Sequence, residues 1–351
     1  MNNPNILFLS IIFFLCLFSN TTFGQSYTSS ISTEDYYQAA LELHEQGNYS
    51  DAEAYYSLAL AMDAHCEKCL FNRGLAYVAL EKYRKALSDF TLLIEQAPTD
   101  IEAYEQRGYL RYQTGDTRGA ISDFSAVISY APSARAYTNR GMAYLEMKQY
   151  PDAIRDLEEA LRLAPQDGEA RRTLGDVYFA SNEIEKALAE YNAAIQLNNR
   201  DIIAYNNRGN AYQLLGKDEE ALADYSMGIA LLPNSYTYTN RAKYWIKKEN
   251  YNKAFTDALA ATKLDYNNAE AFYCVGIIKN AQKNYALAYE NFNKAIALDH
   301  NRGEYYNGRG IALFHLGEYE DASEDFESAL HLNPADAAAK DRILDCHKKL
   351  N

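Results

Sequence analysis

Alanine recurs at Ala52, Ala86, Ala120, Ala153, Ala187, Ala221, Ala254, Ala288 and Ala322, spaced by 33 or 34 residues throughout. Twelve residues ahead of each stands another small residue: Ala40, Gly74, Gly108, Gly141, Gly175, Gly209, Ala242, Gly276 and Gly310. No other feature constrains the fold as much. A unit of this length cannot bury its apolar face alone, so successive units must stack and bury one continuous core between them. Small residues at two fixed points of the period let two segments of one unit approach closely.

Counting from these anchors, repeats begin at Thr33, Glu67, Ile101, Ala134, Gly168, Ile202, Ser235, Ala269 and Gly303. Apolar residues around both small positions follow helical spacing, so each repeat is expected to hold two helices. Pro98, Pro132, Pro165, Pro233 and Pro334 fall at repeat ends, where proline stops a second helix. Pro151 falls at the start of a second helix, where a missing N–H is tolerated.

These residues resemble the tetratricopeptide repeat. The match rests on Tyr at the fourth position (Tyr104, Tyr137, Tyr205), Gly at the eighth and Tyr at the eleventh (Tyr77, Tyr144, Tyr178, Tyr212). It continues with Ala at the twentieth, an aromatic at the twenty-fourth (Phe90, Phe124, Tyr191, Tyr225, Phe292, Phe326) and the terminal Pro. Nine repeats cover 33–336. The resemblance implies an all-α, right-handed solenoid of helix pairs with first helices lining a concave groove. Residues 337–351 read as a capping helix, with Ile343, Leu344 and Leu350 covering the last repeat and Lys340, Arg342, Lys348 and Lys349 facing water.

Residues 1–24 read differently from the rest. Ile6 to Phe18 form an apolar run too short to span a bilayer comfortably and suited to a signal-peptide core, although Met1 to Asn5 carry no Lys or Arg. Thr22 and Gly24 provide the small residues of a cleavage site, leaving Gln25 as the mature N-terminus and 25–32 as a short linker. The expected location is periplasmic or extracellular. A formal charge of −14 argues against nucleic acid and anionic membrane as direct partners, since both require a basic footprint.

An internal correlation concerns charge. Arginine stands at position seven of six repeats (Arg73, Arg107, Arg140, Arg208, Arg241, Arg309), and the same six carry aspartate at position twenty-three (Asp89, Asp123, Asp156, Asp224, Asp257, Asp325). The three repeats without Arg also lack Asp, pairing Ala39 with Tyr55, Leu174 with Glu190 and Val275 with Asn291. A partly buried Arg left alone is costly, so a structural ion pair is expected wherever both occur, to the second helix or to a neighbouring repeat.

In the resembled fold, position six of the first helix faces the groove. Here it carries carboxamides in six of the first seven repeats, including Asn72, Gln106, Asn139, Asn207 and Asn240. Such a series can donate to and accept from peptide groups whatever the side-chain sequence. It resembles the asparagine ladder in the repeat superhelix of O-linked N-acetylglucosamine transferase, which implies binding of extended peptides by their backbone. A second set, Asn206, Asn210 and Asn240, resembles part of a clamp for chaperone C-termini, but Glu270 and Cys274 stand where that clamp needs cations.

Cys66 and Cys69 form a C-x-x-C after His65, read as a local disulfide in an oxidising compartment or as two free thiols. Cys274 and Cys346 read as buried small apolar residues. No second ligand pair for a metal, no phosphate loop, no nucleophile elbow and no dinucleotide fingerprint occurs. The expectation is therefore an exported scaffold without catalysis, cofactor or metal, binding a protein or peptide in its groove and meeting membrane only through a partner. The competing class is an assembly component of a cell-envelope complex acting through its edges or convex face. Oligomeric state is left open by the sequence.

Overall fold

The nine expected repeats fold as nine helical hairpins followed by one further helix. The computed structural model describes residues 31–350, so the expected signal segment 1–24 and most of the linker lie outside the described residues. Among the described residues there are nineteen α-helices and no strand. The first three hairpins are α1 (Thr33–Glu45) with α2 (Tyr49–Met62), α3 (Glu67–Ala79) with α4 (Tyr83–Gln96), and α5 (Ile101–Gln113) with α6 (Thr117–Tyr130). The next three are α7 (Ala134–Glu146) with α8 (Tyr150–Leu163), α9 (Gly168–Ala180) with α10 (Ile184–Leu197), and α11 (Ile202–Leu214) with α12 (Asp218–Leu231). The last three are α13 (Ser235–Lys247) with α14 (Tyr251–Leu264), α15 (Ala269–Ala281) with α16 (Tyr285–Leu298), and α17 (Gly303–Leu316) with α18 (Tyr319–Leu332). The closing helix is α19 (Ala337–Leu350). Among the described residues two bodies can be distinguished, divided between Pro98 and Thr99. Within each, a first helix packs on its own second helix, and that second helix on the next first helix, which is the order an α-solenoid requires.

Close approach inside each hairpin depends on the eighth position. A Cβ added to Gly175 would lie 2.6 Å from the Tyr191 ring, one on Gly209 2.7 Å from Tyr225, and one on Gly276 2.6 Å from Phe292. The same holds for Gly74 on Phe90 (2.7 Å) and Gly310 on Phe326 (2.8 Å). The aromatic at position twenty-four thus fills the space left by the missing side chain, and a methyl group would overpack it at a cost of about 1–3 kcal/mol. Repeat seven solves the problem in reverse: Ala242 stands at position eight and Ala258 at twenty-four, both fully buried in one cluster.

The turn between the two helices is also repeated. Position fifteen is left-handed in all nine hairpins, as Gly47, Gly115, Gly216 and Gly317 but also as Glu81, Lys148, Asn182, Glu249 and Lys283. Glycine takes this conformation freely, whereas Glu and Lys adopt it at a steric cost that the packed hairpin must offset. Helix starts are capped by side chains, for example Asp100, Ser133, Asn234 and Asn268 on the first helices and Asn48, Asp116 and Asn250 on the second.

The closing helix departs from expectation in detail. Leu344 and Leu350 are exposed rather than covering the last repeat. Its buried residues are Ala339 and Cys346, and Ile343 packs beside Cys346 on the Phe326 cluster. Arg342 does not simply face water: one Nη donates to Asn307 Oδ1 at 2.6 Å, and the guanidinium lies 5.8 Å from the Phe326 ring centre. The inward stripe is therefore 339, 342, 343 and 346, one helical face of an ordinary first helix.

Candidate functional site

The arginines of position seven are framework rather than an open surface. Each grips its aspartate with two nitrogens in the fork geometry of a guanidinium on a carboxylate. Arg73 holds Asp89 through Nε and Nη2 at 2.8 Å each, Arg140 holds Asp156 at 2.6 and 2.9 Å, and Arg241 holds Asp257 at 2.7 and 2.8 Å. Arg107–Asp123, Arg208–Asp224 and Arg309–Asp325 repeat the arrangement. All six aspartates are buried. The bonds from Asp156 hold the Arg140 guanidinium charged beyond its ordinary range, outweighing burial.

Five of these bridges show a third member that the seven–twenty-three correlation misses. The remaining Nη1 reaches back to the second helix of the preceding repeat: Arg73 to Ser57 Oγ (3.1 Å), Arg140 to Ser125 Oγ (3.0 Å), Arg208 to Asn192 Oδ1 (2.6 Å) and Arg241 to Ser226 Oγ (3.2 Å). Arg309 reaches Asn293 in the same way. These acceptors stand at position twenty-five. The sequence does carry the signal, because ahead of the Arg-less repeats five and eight that position is Glu158 and Leu259. Repeat five instead pairs Arg171 with Glu190 at 3.1 Å, and in repeat eight Asn291 turns its amide to Leu287 O of its own helix.

The carboxamides of position six are half-buried, apart from the exposed Gln38, and they are not equivalent. In the first body, Asn72 donates to Lys68 O (2.8 Å) and Tyr37 OH (3.4 Å), and Gln38 donates to Glu34 (2.7 Å). In the second body, Gln106 and Asn139 make no side-chain hydrogen bond among the described residues, so their amides point to no protein partner. Asn240 donates to Asn206 Oδ1 (3.0 Å), Asn206 to Asn207 Oδ1 (3.4 Å) and Asn207 to Asp176 Oδ1 (2.8 Å). Tyr191 OH reaches the same Asp176 oxygen at 2.8 Å, and Tyr225 OH donates to Asn210 Oδ1 at 2.7 Å. Where the series is interrupted, the cause is packing. Thr173 and Cys274 are buried, and a Cβ on Gly308 would lie 2.5 Å from the Phe292 ring of the preceding repeat.

Two adjoining cavities lie on the first-helix side of repeats five to seven. One, of about 520 Å3, holds Glu169, Arg172, Arg200 and Asp201. The other, of about 420 Å3, holds Ile203, Asn206, Asn207, Tyr236 and Asn240. Ile202 and Ile203 line both. Burial pushes the Asp176 carboxyl above its ordinary range, against the hydrogen bonds from Tyr191 and Asn207 and the nearby Arg172 charge. Burial likewise raises the Tyr191 phenol.

Cys66 and Cys69 are joined in a disulfide at the entry to α3, with Cys69 fully buried. Cys274 and Cys346 are both unpaired and buried. Burial lifts the Cys274 thiol to about 12, which leaves it protonated and unreactive. Among the described residues, no cluster of His, Cys, Asp or Glu could hold a metal ion, and no helix is long and apolar enough to cross a membrane.

Comparison with known proteins decides the family. Family models described as tetratricopeptide repeat match residues 37–101, 134–167, 202–235 and 303–336, and one described as TPR repeat matches 175–216, together more than half of the chain. This chain belongs to the tetratricopeptide repeat family. Similar proteins include human tetratricopeptide repeat protein 6, 30% identical over 32% of this chain and 22% of that one. Human tetratricopeptide repeat protein 13 is 28% identical over 39% of this chain and 16% of that one, so the matched relatives are far longer than the region they share. Among solved structures, a tetratricopeptide repeat protein from Parabacteroides merdae matches with a TM-score of 0.65 and 21% identity, covering 72% of this chain and all of that one. The Cut9–Hcn1 hetero-tetramer of the APC/C matches with a TM-score of 0.63 and 16% identity, covering 90% of this chain and 76% of that one. At such identities the structures speak to the fold alone. Tetratricopeptide repeat proteins are protein–protein interaction scaffolds.

The raised Asp176 carboxyl gives this tetratricopeptide array a signed pH dependence. The folded state holds that proton to higher pH than the unfolded chain does, so this group's contribution to stability falls as pH rises through the window above the ordinary carboxylate value. Asp176→Asn keeps an acceptor for Tyr191 and Asn207 while removing the buried charge. Urea unfolding should find the variant at least as stable as the parent at neutral pH, with a shallower fall from mildly acid to neutral pH. A marked loss at neutral pH with an unchanged slope would show that the ionised carboxylate is required.

Proposed function

We propose that the chain is an exported, non-catalytic scaffold that holds a protein or extended peptide along the first-helix face of its repeats, chiefly at repeats five to seven. The observation that supports this is the pair of adjoining cavities there, one of them walled by the carboxamides of Asn206, Asn207 and Asn240. Half-buried amides with one donor hydrogen and one oxygen lone pair to spare can exchange a protein partner for a peptide group at little cost, and do so without reading side chains. The groups facing these cavities, carboxamides, isoleucines, Tyr236 and the charged Glu169, Arg172, Arg200 and Asp201, are suited to binding a peptide.

Peptides selected from a random displayed library on the chain beginning at Gln25 provide the test. Their affinity should fall about tenfold or more, ~1.4 kcal/mol, on the combined replacement Asn206→Ala and Asn240→Ala, with helicity retained in circular dichroism. Unchanged affinity would remove the groove from the reading and leave edges or the outer face. Export is tested separately by the intact mass of the protein taken from its producing cell. A mass beginning at Gln25 is expected, and retention of residues 1–24 would contradict it.

A further inference from the structure

Position two of the first helix is charged in seven of the nine repeats, from Glu34 to Glu304. Repeats six and seven break the row with Ile203 and Tyr236, which are 48% and 71% exposed. Exposed apolar side chains in an otherwise charged row, both lining one cavity of about 420 Å3, form an uncharged seat. Scattered exposed apolar residues need no explanation, but two that converge on a concave, carboxamide-walled space have a common use.

The adjoining cavity holds the opposite chemistry. Arg172 Nε is buried and has no hydrogen-bond partner. Its nearest acidic oxygens lie beyond good hydrogen-bond range, Asp201 Oδ2 at 3.6 Å from Nε and Glu169 Oε1 at 3.5 Å from Nη2. Asp201 is already committed, because its Oδ1 caps α11 through the N–H groups of Ile203 and Ala204. Asp176 accepts from Tyr191 and Asn207. Arg200 is exposed in the same cavity and makes no ion pair among the described residues. Arg172 Nε lacks a hydrogen bond and Arg200 lacks an ion pair, while Glu169 and Asp201 Oδ2 reach Arg172 only at 3.5–3.6 Å, so an incoming carboxylate can make the short bonds these cations lack, even on a chain whose overall charge is −14.

We propose that repeats five to seven form a two-part specificity site for an extended segment in which an aliphatic side chain stands beside an acidic one. The aliphatic group sits between Ile203 and Tyr236, the side-chain carboxylate meets Arg172 and Arg200, and Asn206, Asn207 and Asn240 take the intervening backbone. This rests on the groove reading above and adds what the groove selects.

The probe is a library of nine-residue peptides, acetylated and amidated so that any carboxylate comes from a side chain, with a central Leu flanked by Asp, Glu, Asn or Lys. Wild type should prefer the acidic neighbours by about tenfold over Asn. Arg172→Gln should erase that preference while keeping affinity for Leu over Ser at the centre. Arg200→Gln, on an exposed side chain, guards against a folding artefact and should weaken the acidic preference in the same sense. Ile203→Glu should lose the preference for Leu. Binding that is indifferent to the flanking residue, that favours Lys, or that appears only with a free C-terminal carboxylate would overturn the specificity site while leaving groove binding intact. Failure of every peptide to bind would overturn both.

Discussion

The guanidinium fork at position seven is the interaction on which the rest of the array depends. One planar group ties three helices: its own first helix, the aspartate of its own second helix, and a short polar side chain on the second helix of the repeat before. A hairpin could form from apolar contacts alone, but the reach from Arg140 to Ser125 as well as Asp156 also fixes how one hairpin sits on the next. Desolvating a charge in this way is tolerable only when every partner is present, since a buried carboxylate without its guanidinium costs several kcal/mol. That asymmetry explains why arginine and aspartate are present together in six repeats and absent together in three.

Close packing supplies the second constraint and decides which polar groups the first-helix face presents. The eighth-position glycine lets the aromatic of position twenty-four lie against the first-helix backbone, and the phenols of Tyr191 and Tyr225 extend past it to Asp176 and Asn210. Core aromatics thus hold polar groups on the first-helix side, and the Asp176 network is anchored from beneath. The same packing removes carboxamides elsewhere: Phe292 occupies the space that a side chain at Gly308 would need. The face is therefore uneven, with free amides at Gln106 and Asn139, a linked network from Asp176 to Asn240, and apolar or missing side chains beyond it.

Much of this could be read from the sequence because it repeats. Helix starts at all nine expected positions follow from the Gly–Ala spacing, and the Arg–Asp correlation pointed to groups that the structure brings within hydrogen-bond distance. Four features were less visible, for physical reasons. Left-handed turns at Glu81, Lys148, Glu249 and Lys283 carry no glycine, because the hairpin imposes the conformation instead of the residue choosing it. The acceptors at position twenty-five belong to the preceding repeat, so a search within one repeat cannot find them. The unequal carboxamides depend on neighbours such as Asp176 and Tyr191, which position-six identity does not report. In α19, burial follows Ala339, Arg342, Ile343 and Cys346, since small size and fit outweighed the hydrophobicity of Leu344 and Leu350.

The most direct measurement converts the bridge of repeat four into the pair that repeat eight carries in its place, Val275 with Asn291. Melting temperatures would be compared for Arg140→Val, for Asp156→Asn and for the two together. If the guanidinium and carboxylate are required by each other, either single change strands a charged or polar partner at about 3 kcal/mol, and the double variant is more stable than the sum of those losses allows. Losses that simply add would mean that Arg140 and Asp156 act independently, and the bridge would not be what ties the repeats together.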